Sequence, residues 1–494
     1  MIMNFQKIFD LSIYAINPKR NEERQSKKIK ELKELFPFHI IPAERILGED
    51  ESQNNSLSNL ISSFFDMNEE DLDPEIVNKV MELRTVVENA NKDVQDQSDS
   101  ILNELVSNAV GFGYPNAEEL QLGVITQLSI DDQIKNQTQL SYKTDICDER
   151  LPSTYNGLGY KNLIKMEFLL ATFAKKVKKY GSASIPLLFI EEPESHMHPQ
   201  LQHCFAEYLE EFLEKITFGG IQTFLTSHSA HIANTMDFSK IRYAQKTRNG
   251  VKYKNLNTFS CENPKNIDFI KKYLTLTKCD LFFADKAILV EGASERLLLP
   301  DMIDKCSKAG DFDSKSYKLP SQYYTLIEIG GAYAYKFIPF MEFLNIPCLI
   351  LTDLDSVAKL DGSRYKSVPV SKGETTSNET LKWWVRKNSN KQYKASEKIP
   401  LEDITSIDKT QGKCHIEFQC KENGLCGHSL EEAIRNVNRG YFQLDGDIKE
   451  EDLEFKGKCK TDFALELIYR NENYIIPSYI KNGLIWLNDE NVLE

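Results

Sequence analysis

Short apolar runs that break off in acidic or polar residues constrain this chain more than any other feature. Ile185–Ile190 leads into Glu191 and Glu192, Ile221–Thr226 into Ser227, His228 and Ser229, Ala287–Val290 into Glu291, and Leu349–Thr352 into Asp353 and Asp355. Runs of this length with little alternation suit strands covered on both faces, as in parallel sheets, and helix-length segments separate them. The chain therefore reads as α/β. In such sheets ligands bind outside the carboxyl ends of the strands, which is where these polar groups fall.

At 494 residues the chain has room for several cores, and a change of texture near residues 276–284 divides it into an N-terminal half, 1–280, and a C-terminal half, 281–494. Within the first half, residues 51–110 are polar with helical spacing from Pro74 onward, which predicts a helical insertion or arm near 51–150. Phe36–Pro42 reads as a short buried strand, and residues 356–425, rich in Lys and Ser, as loops and surface helices. No apolar run reaches membrane-spanning length and no signal peptide opens the chain, so a cytoplasmic protein that does not enter membranes is expected. A net charge of −14 speaks against non-specific coating of nucleic acid and leaves room for a local basic groove. The 10 cysteines read as reduced thiols; Cys414, Cys420, Cys426 and His428 have the donors for zinc without the usual close spacing.

Leu187–Ile190 followed by Glu191 and Glu192 suits Walker B chemistry, in which the first acid holds Mg²⁺ through water and the second polarises the water attacking a γ-phosphate. His228, at the end of the next strand, suits the switch residue of the same site. Gly157 and Gly159, just ahead of the apolar helix Leu163–Phe173, let backbone N–H groups approach an anion and resemble the signature loop of ABC ATPases, which acts on the nucleotide of a dimer partner. No GxxxxGK[ST] phosphate loop precedes residue 187. Either the chain starts after that loop or the ATPase is degenerate, and the expectation is a chain that does not hydrolyse ATP, with activity restored in a longer natural form if truncation is the cause.

In the second half Glu291 ends a strand, Gly292 turns, and Glu295 opens a helix, while Asp353 and Asp355 share one side of another strand end. Carboxylates gathered in this way repel one another unless a divalent cation sits among them, and oxygen-only ligands favour Mg²⁺ or Mn²⁺ over zinc. The EGxxE and DxD pair is the Toprim pattern. Between its parts, Gly330 and Gly331 follow a strand and are placed to pass close to the metals. Glu431, at a helix start, and Lys460, which opens the helix running to Ile468, read from their residues alone as ordinary surface charges.

In order along the chain, signature-like loop, Walker B acids, switch histidine, EGxSE, glycine pair, TDxD, Leu430-Glu431 and KxxFA resemble the OLD (overcoming lysogenization defect) family, an ABC-type ATPase fused to a C-terminal Toprim nuclease, over residues 151–470. The branch nearest in pattern is that of Gabija nuclease subunits and retron-associated nucleases. The resemblance implies that Glu291, Glu295, Asp353, Asp355 and Glu431 are metal ligands, that Lys460 joins Glu291 and Asp353 in catalysis, and that Glu191, Glu192, His228, Gly157 and Gly159 belong to an ATP site. It further implies a DNA substrate, a homodimer through the ATPase half, and a defence-system partner protein or regulatory nucleic acid. The function it points to is a Mg²⁺-dependent endonuclease or nickase of prokaryotic antiphage defence. Two other readings stand beside it: an ATP-driven DNA-repair or scaffolding protein with a vestigial acidic site, and a Toprim primase or topoisomerase, for which no tyrosine-bearing domain is evident.

Overall fold

The computed structural model describes residues 12–43, 120–126, 138–144, 147–152, 157–180, 184–216 and 220–491, except 263, 275, 330–332, 360–363, 445, 457–458 and 471–472. Two units emerge, Met1–Met236 and Asp237–Glu494. Among the described residues no helix is long and apolar enough to cross a membrane.

In the first unit β1 (Ile13–Asn17) and β2 (Arg20–Lys27) form an antiparallel hairpin, followed by α1 (Ile29–Leu35) and β3 (Phe38–Ile41). Next come β4 (Leu120–Thr126), β5 (Thr138–Thr144) and β6 (Cys147–Pro152), then α2 (Leu158–Tyr180), β7 (Leu187–Glu191), α3 (Pro199–Ile216), β8 (Gln222–Thr226) and α4 (Ala230–Thr235). β3, β7 and β8 pair in parallel, with Ile40, Phe189 and Phe224 abreast. On α2, Leu163, Met166, Leu170, Phe173 and Val177 recur every three or four residues and so form one stripe. That stripe packs with Leu201, Phe205 and Leu209 of α3 against Ile41, Leu188 and Ile190. The strand expected at Phe36–Pro42 is present but alternates, with Ile41 fully buried and Phe38 57% exposed. The helical segment expected from residue 51 to 110 lies outside the described residues. Farther along that insertion β4, β5 and β6 build an antiparallel sheet, so its described part is strand.

The second unit begins with the hairpin β9 (Arg242–Thr247) and β10 (Gly250–Asn255), then α5 (Leu256–Glu262) and α6 (Pro264–Tyr273). Its main sheet takes β11 (Lys286–Val290), followed by α7 (Ala293–Ala309), β12 (Tyr324–Glu328), α8 (Ile338–Leu344) and β13 (Cys348–Leu351). After β13 come β14 (Ser356–Lys359), β15 (Tyr365–Ser367), β16 (Thr375–Thr376), α9 (Glu379–Asn388), β17 (Thr410–Gln411) and β18 (Cys414–Glu417). The strand order is β12-β11-β13-β18-β17, parallel except for β17. Every residue of β11 and β13 is buried, as strands covered on both faces must be. One cover includes α7 and the last helices, α10 (Leu430–Val437), α11 (Lys460–Arg470) and α12 (Ser478–Asp489).

Two details fix α12 on the sheet. A Cβ at Gly483 would stand 2.7 Å from Leu349 Cδ1, so only glycine permits this approach. The Lys286 ammonium, buried under β11, donates to the carbonyls of Leu487 and Asn488 (3.1 Å to Asn488 O), satisfying the end of α12. Burial holds that ammonium down, with a pKa of about 8.

Residues 356–425, expected as loops and surface helices, differ from that reading. β14, β15 and β16 form a small antiparallel sheet, β18 is a strand of the main sheet, and Trp384 of α9 is fully buried. The strands are short and polar, and their polar groups are satisfied internally: Thr375 Oγ1 donates to Ile399 O (2.6 Å) and Thr376 Oγ1 to Leu354 O (2.6 Å). Such strands carry no apolar signature to read.

Candidate active site

β11 and β13 are neighbours with Leu289 beside Ile350, so their exits bring Glu291 next to Thr352 and Asp353. The Thr352 hydroxyl and the Asp353 N–H (3.2 Å) both donate to Glu291 Oε1. Gly292 then lets α7 start, and Glu295, in its first turn, accepts the Gly292 N–H at 3.1 Å. Asp355, at φ 45°, turns the chain away from the sheet, and its N–H donates to His428 O (3.1 Å). Asp residues tolerate that left-handed conformation better than most.

Asp353 is 8% exposed, and its Oδ1 accepts from Gln419 Nε2 (2.6 Å) and from the Leu430 N–H (3.0 Å). The start of α10 thus delivers both a donor to Asp353 and the next carboxylate, Glu431. Glu431 is 1% exposed, and among the described residues no backbone or neutral side-chain donor reaches its oxygens. Its one charged partner among the described residues is the Lys460 ammonium, 3.0 Å away. Glu291, Glu295, Asp353 and Lys460 line one open cleft.

Electrostatics mark the cluster as overcharged with acid. Burial and the neighbouring Glu431 and Glu291 push Glu295 up to about 7. Asp353 is held well above the usual carboxylate range by burial and by Glu295, Glu291 and Asp355, and Asp355 is raised by burial and by Glu291. Burial opposes the charge on Lys460, but Glu431 and Asp353 outweigh it and raise its pKa. A divalent cation would relieve all of these at once, and oxygen donors alone suit Mg²⁺ or Mn²⁺. A buried carboxylate met by a single lysine is a further reason the set fits such an ion. The donors are assembled without being closed into a cage: among the described residues no three His, Cys, Asp or Glu side chains converge as metal ligands.

These shifts set the sign of a pH effect. A carboxyl whose folded pKa is raised contributes stability below its unfolded pKa, and that contribution is lost as pH rises through the folded value. The metal-free protein should therefore lose Tm as pH rises from about 5 through 7. His428, raised by its hydrogen bond to Glu432, acts in the same direction. Saturating Mn²⁺, which binds the folded state, should flatten the decline. Calorimetry in EDTA and in Mn²⁺ checks this, and a metal-free Tm that climbs over that range would contradict the cluster.

Two amides escape a reading of the sequence. Asn378, 1% exposed, caps α9 through Oδ1, which accepts the N–H groups of Thr380 (2.9 Å) and Leu381 (3.2 Å). Its Nδ2 faces the acids and donates to Glu291 Oε1 (2.7 Å), Thr352 Oγ1 (2.8 Å) and Asp353 O (2.9 Å). Gln419, just past β18, bridges Leu354 N–H (2.7 Å) and Asp353. An Asn before Glu379 is legible as a helix cap, but its second role needs the fold. Gly330 and Gly331 lie outside the described residues.

Among the described residues Cys414, Cys420, Cys426 and His428 form no metal-binding group. Cys414 is buried in β18, Cys420 Sγ is 3.2 Å from Ser478 Oγ, and Cys426 Sγ contacts Gly427 O at 3.5 Å. His428 is engaged by Glu432 (2.6 Å) and Ser367 (3.1 Å).

In the first unit Glu191 ends β7, and Glu192 follows at φ 40°, a conformation costly for a non-glycine residue. His228 Nε2 lies 3.6 Å from Glu192 Oε1. Glu194 ties the two strand exits together, accepting from Ser227 Oγ (3.0 Å) and the His228 N–H (2.6 Å). Among the described residues nothing stands within 4 Å of a Cβ at Gly157, whereas a Cβ at Gly159 would stand 2.5 Å from His196 O. Gly159 therefore seats α2 on the loop after β7, a contact that Asn162 reinforces by donating to Ser195 O (2.7 Å).

Sequence profiles of known families agree with this division. That of the AAA ATPase domain matches residues 4–233, and that of the overcoming lysogenization defect protein-like TOPRIM domain matches residues 282–355. The chain joins an AAA ATPase domain to an OLD-like Toprim domain. It is 27% identical over 423 residues to Endonuclease GajA of Bacillus cereus (strain HuB5-5), covering 75% of this chain and 58% of that one. It is 25% identical over 225 residues to the OLD nuclease of Thermus scotoductus, covering 44% of this chain and 39% of that one. The chain thus spans less than two thirds of either relative. Among solved structures, the C-terminal region of the Burkholderia pseudomallei OLD protein is 19% identical with a TM-score of 0.22, covering 42% of this chain and 98% of that one. The Toprim match includes Glu291, Glu295, Asp353 and Asp355; Asn378, Glu431 and Lys460 lie beyond it.

Proposed function

We propose that this chain is a divalent-metal-dependent DNA endonuclease or nickase of prokaryotic antiphage defence, regulated through its ATPase half. The observation that carries the reading is the meeting of Glu291, Glu295 and Asp353 with Lys460 in one cleft at the carboxyl ends of β11 and β13. Glu291, Glu295, Asp353, Asp355 and Glu431 would hold Mg²⁺ or Mn²⁺. When bound, the ion neutralises charge on the scissile phosphate and makes water a better nucleophile. The chain's own groups position that chemistry: Asn378 and Thr352 orient Glu291, while Gln419 and the start of α10 orient Asp353. Lys460, held as a cation by the acids around it, serves as an electrostatic partner of the phosphate and not as a base. ATP bound between Glu191, Glu192, His228 and the glycines Gly157 and Gly159 of a second copy would couple a homodimer to cleavage, with a partner protein or regulatory nucleic acid as trigger.

Supercoiled plasmid incubated with Mg²⁺ or Mn²⁺ tests the reading, and an intact plasmid in both would overturn it. Lys460→Ala should lower turnover by about 10² and leave the Mn²⁺-induced rise in Tm in place. Cutting at the normal rate would return Lys460 to a surface charge.

A further inference from the structure

Beside the acid cluster, on the same unit, stands a group of aromatic rings around one lysine. Lys336 Nζ lies 4.3 Å from the ring centre of Phe269, 5.0 Å from that of Tyr333 and 6.0 Å from that of Tyr335. Tyr335 lies 6.5 Å from Trp383, with the ring planes 31° apart. Tyr333 is 48% exposed, and Tyr335, Lys336 and Trp383 are partly exposed. Among the described residues Lys336 makes no ion pair and the hydroxyls of Tyr333 and Tyr335 make no hydrogen bond. A cation packed only on aromatic faces keeps its donors for an anion from outside, and half-exposed rings keep a face to stack on.

This group is coupled to the acids through a short chain of bonds. The Tyr335 N–H donates to Thr380 Oγ1 (3.4 Å), the Thr380 N–H to Asn378 Oδ1 (2.9 Å), and Asn378 Nδ2 to Glu291 Oε1 (2.7 Å). Trp383 stands five positions beyond Asn378 along α9, a rise of about 7.5 Å. That is the reach of about two stacked nucleotides at 3.4 Å each.

Resting on the nuclease reading above, we propose that Tyr333, Tyr335, Lys336 and Trp383 form a platform for unpaired bases of the DNA strand next to the scissile phosphate. Stacking on aromatic faces accepts any base, and the lysine meets the backbone. Fully paired DNA, whose bases are stacked on each other, cannot use the rings. The platform therefore favours gapped, frayed or locally melted DNA.

Fluorescence anisotropy of the full chain in Ca²⁺ tests this with a fully paired duplex and the same duplex carrying a short single-stranded gap. The wild type should bind the gapped duplex more tightly. Tyr333→Ala combined with Tyr335→Ala should reduce that preference about tenfold or more, with paired-duplex affinity and the Mn²⁺-induced Tm rise unchanged. Tyr333→Phe, which keeps the ring, should retain the preference. An unchanged preference in the double variant overturns the platform, as does equal loss for both duplexes, which would make the patch a simple charge contact. If the wild type cuts plasmid while the platform fails, the nuclease reading survives; if it neither binds nor cuts DNA, that reading falls first.

Discussion

Glu291→Gln and Asp353→Asn should each lower plasmid cleavage by at least about 10²–10³-fold, while raising the Tm of the metal-free protein. The two effects share a cause. Each substitution takes one ionisable carboxyl out of a buried group of acids in which burial and mutual repulsion raise Glu295, Asp353 and Asp355. Without an ion that repulsion destabilises the fold, so relieving it is a gain; with an ion the lost carboxylate is a lost ligand. The amide variants are the informative ones. Asp353→Ala would strand Gln419 Nε2 and the Leu430 N–H, whereas Asn keeps an oxygen for them. Glu291→Gln keeps an acceptor for Thr352 and Asn378. A loss of activity accompanied by a fall in metal-free Tm would point to damage to the fold. Undiminished cutting by either variant would sink the assignment of the site.

The parts of this molecule legible in the sequence are those where apolar burial and chemistry coincide. β11 and β13 announce themselves because strands buried on both faces must be apolar throughout, and β7 because its half-buried positions, Leu187 and Phe189, are apolar as well as its buried Leu188 and Ile190; the acids that follow stand out by contrast. The pairing of Glu291 with Asp353 follows once β11 and β13 are neighbours. β18 was not legible: Cys-His-Ile-Glu has no strand pattern, and its polar side chains are accommodated by contacts the sequence does not show, His415 Nε2 with Glu417 Oε1 (3.1 Å) and the imidazole stacked on Trp486 at 4.7 Å. Gln419, placed by that strand, was hidden with it. Glu431 and Lys460 illustrate a different limit. Each opens a helix and looks like an ordinary surface charge, and only the packing of α10 and α11 shows that one is fully buried and the other stands against it. Asn378 was half legible, since one end of its amide makes a recognisable cap while the other end turns toward residues far away in sequence.

The chain as given should not hydrolyse ATP, although its first unit matches an AAA ATPase domain over residues 4–233. Hydrolysis needs two things in register: groups that hold the β- and γ-phosphates and a group that directs water at the γ-phosphate. In the proposed site Glu192 and His228 supply the second. Glu192 is held at φ 40° at the exit of β7, and His228 Nε2 lies 3.6 Å from its carboxylate. Glu194 links the two strand exits and so fixes where the pair stands. For the first, no GxxxxGK[ST] segment occurs in the sequence, and Lys458, which follows a glycine, falls outside the residues that match the ATPase domain. Positioned water with no positioned phosphate gives no in-line attack. Phosphate release by the purified chain should match that of Glu192→Gln within error, with or without DNA. Robust ATP turnover that disappears in Glu192→Gln would show that another element of this chain cradles the phosphates, and would restore a working ATPase to the first unit.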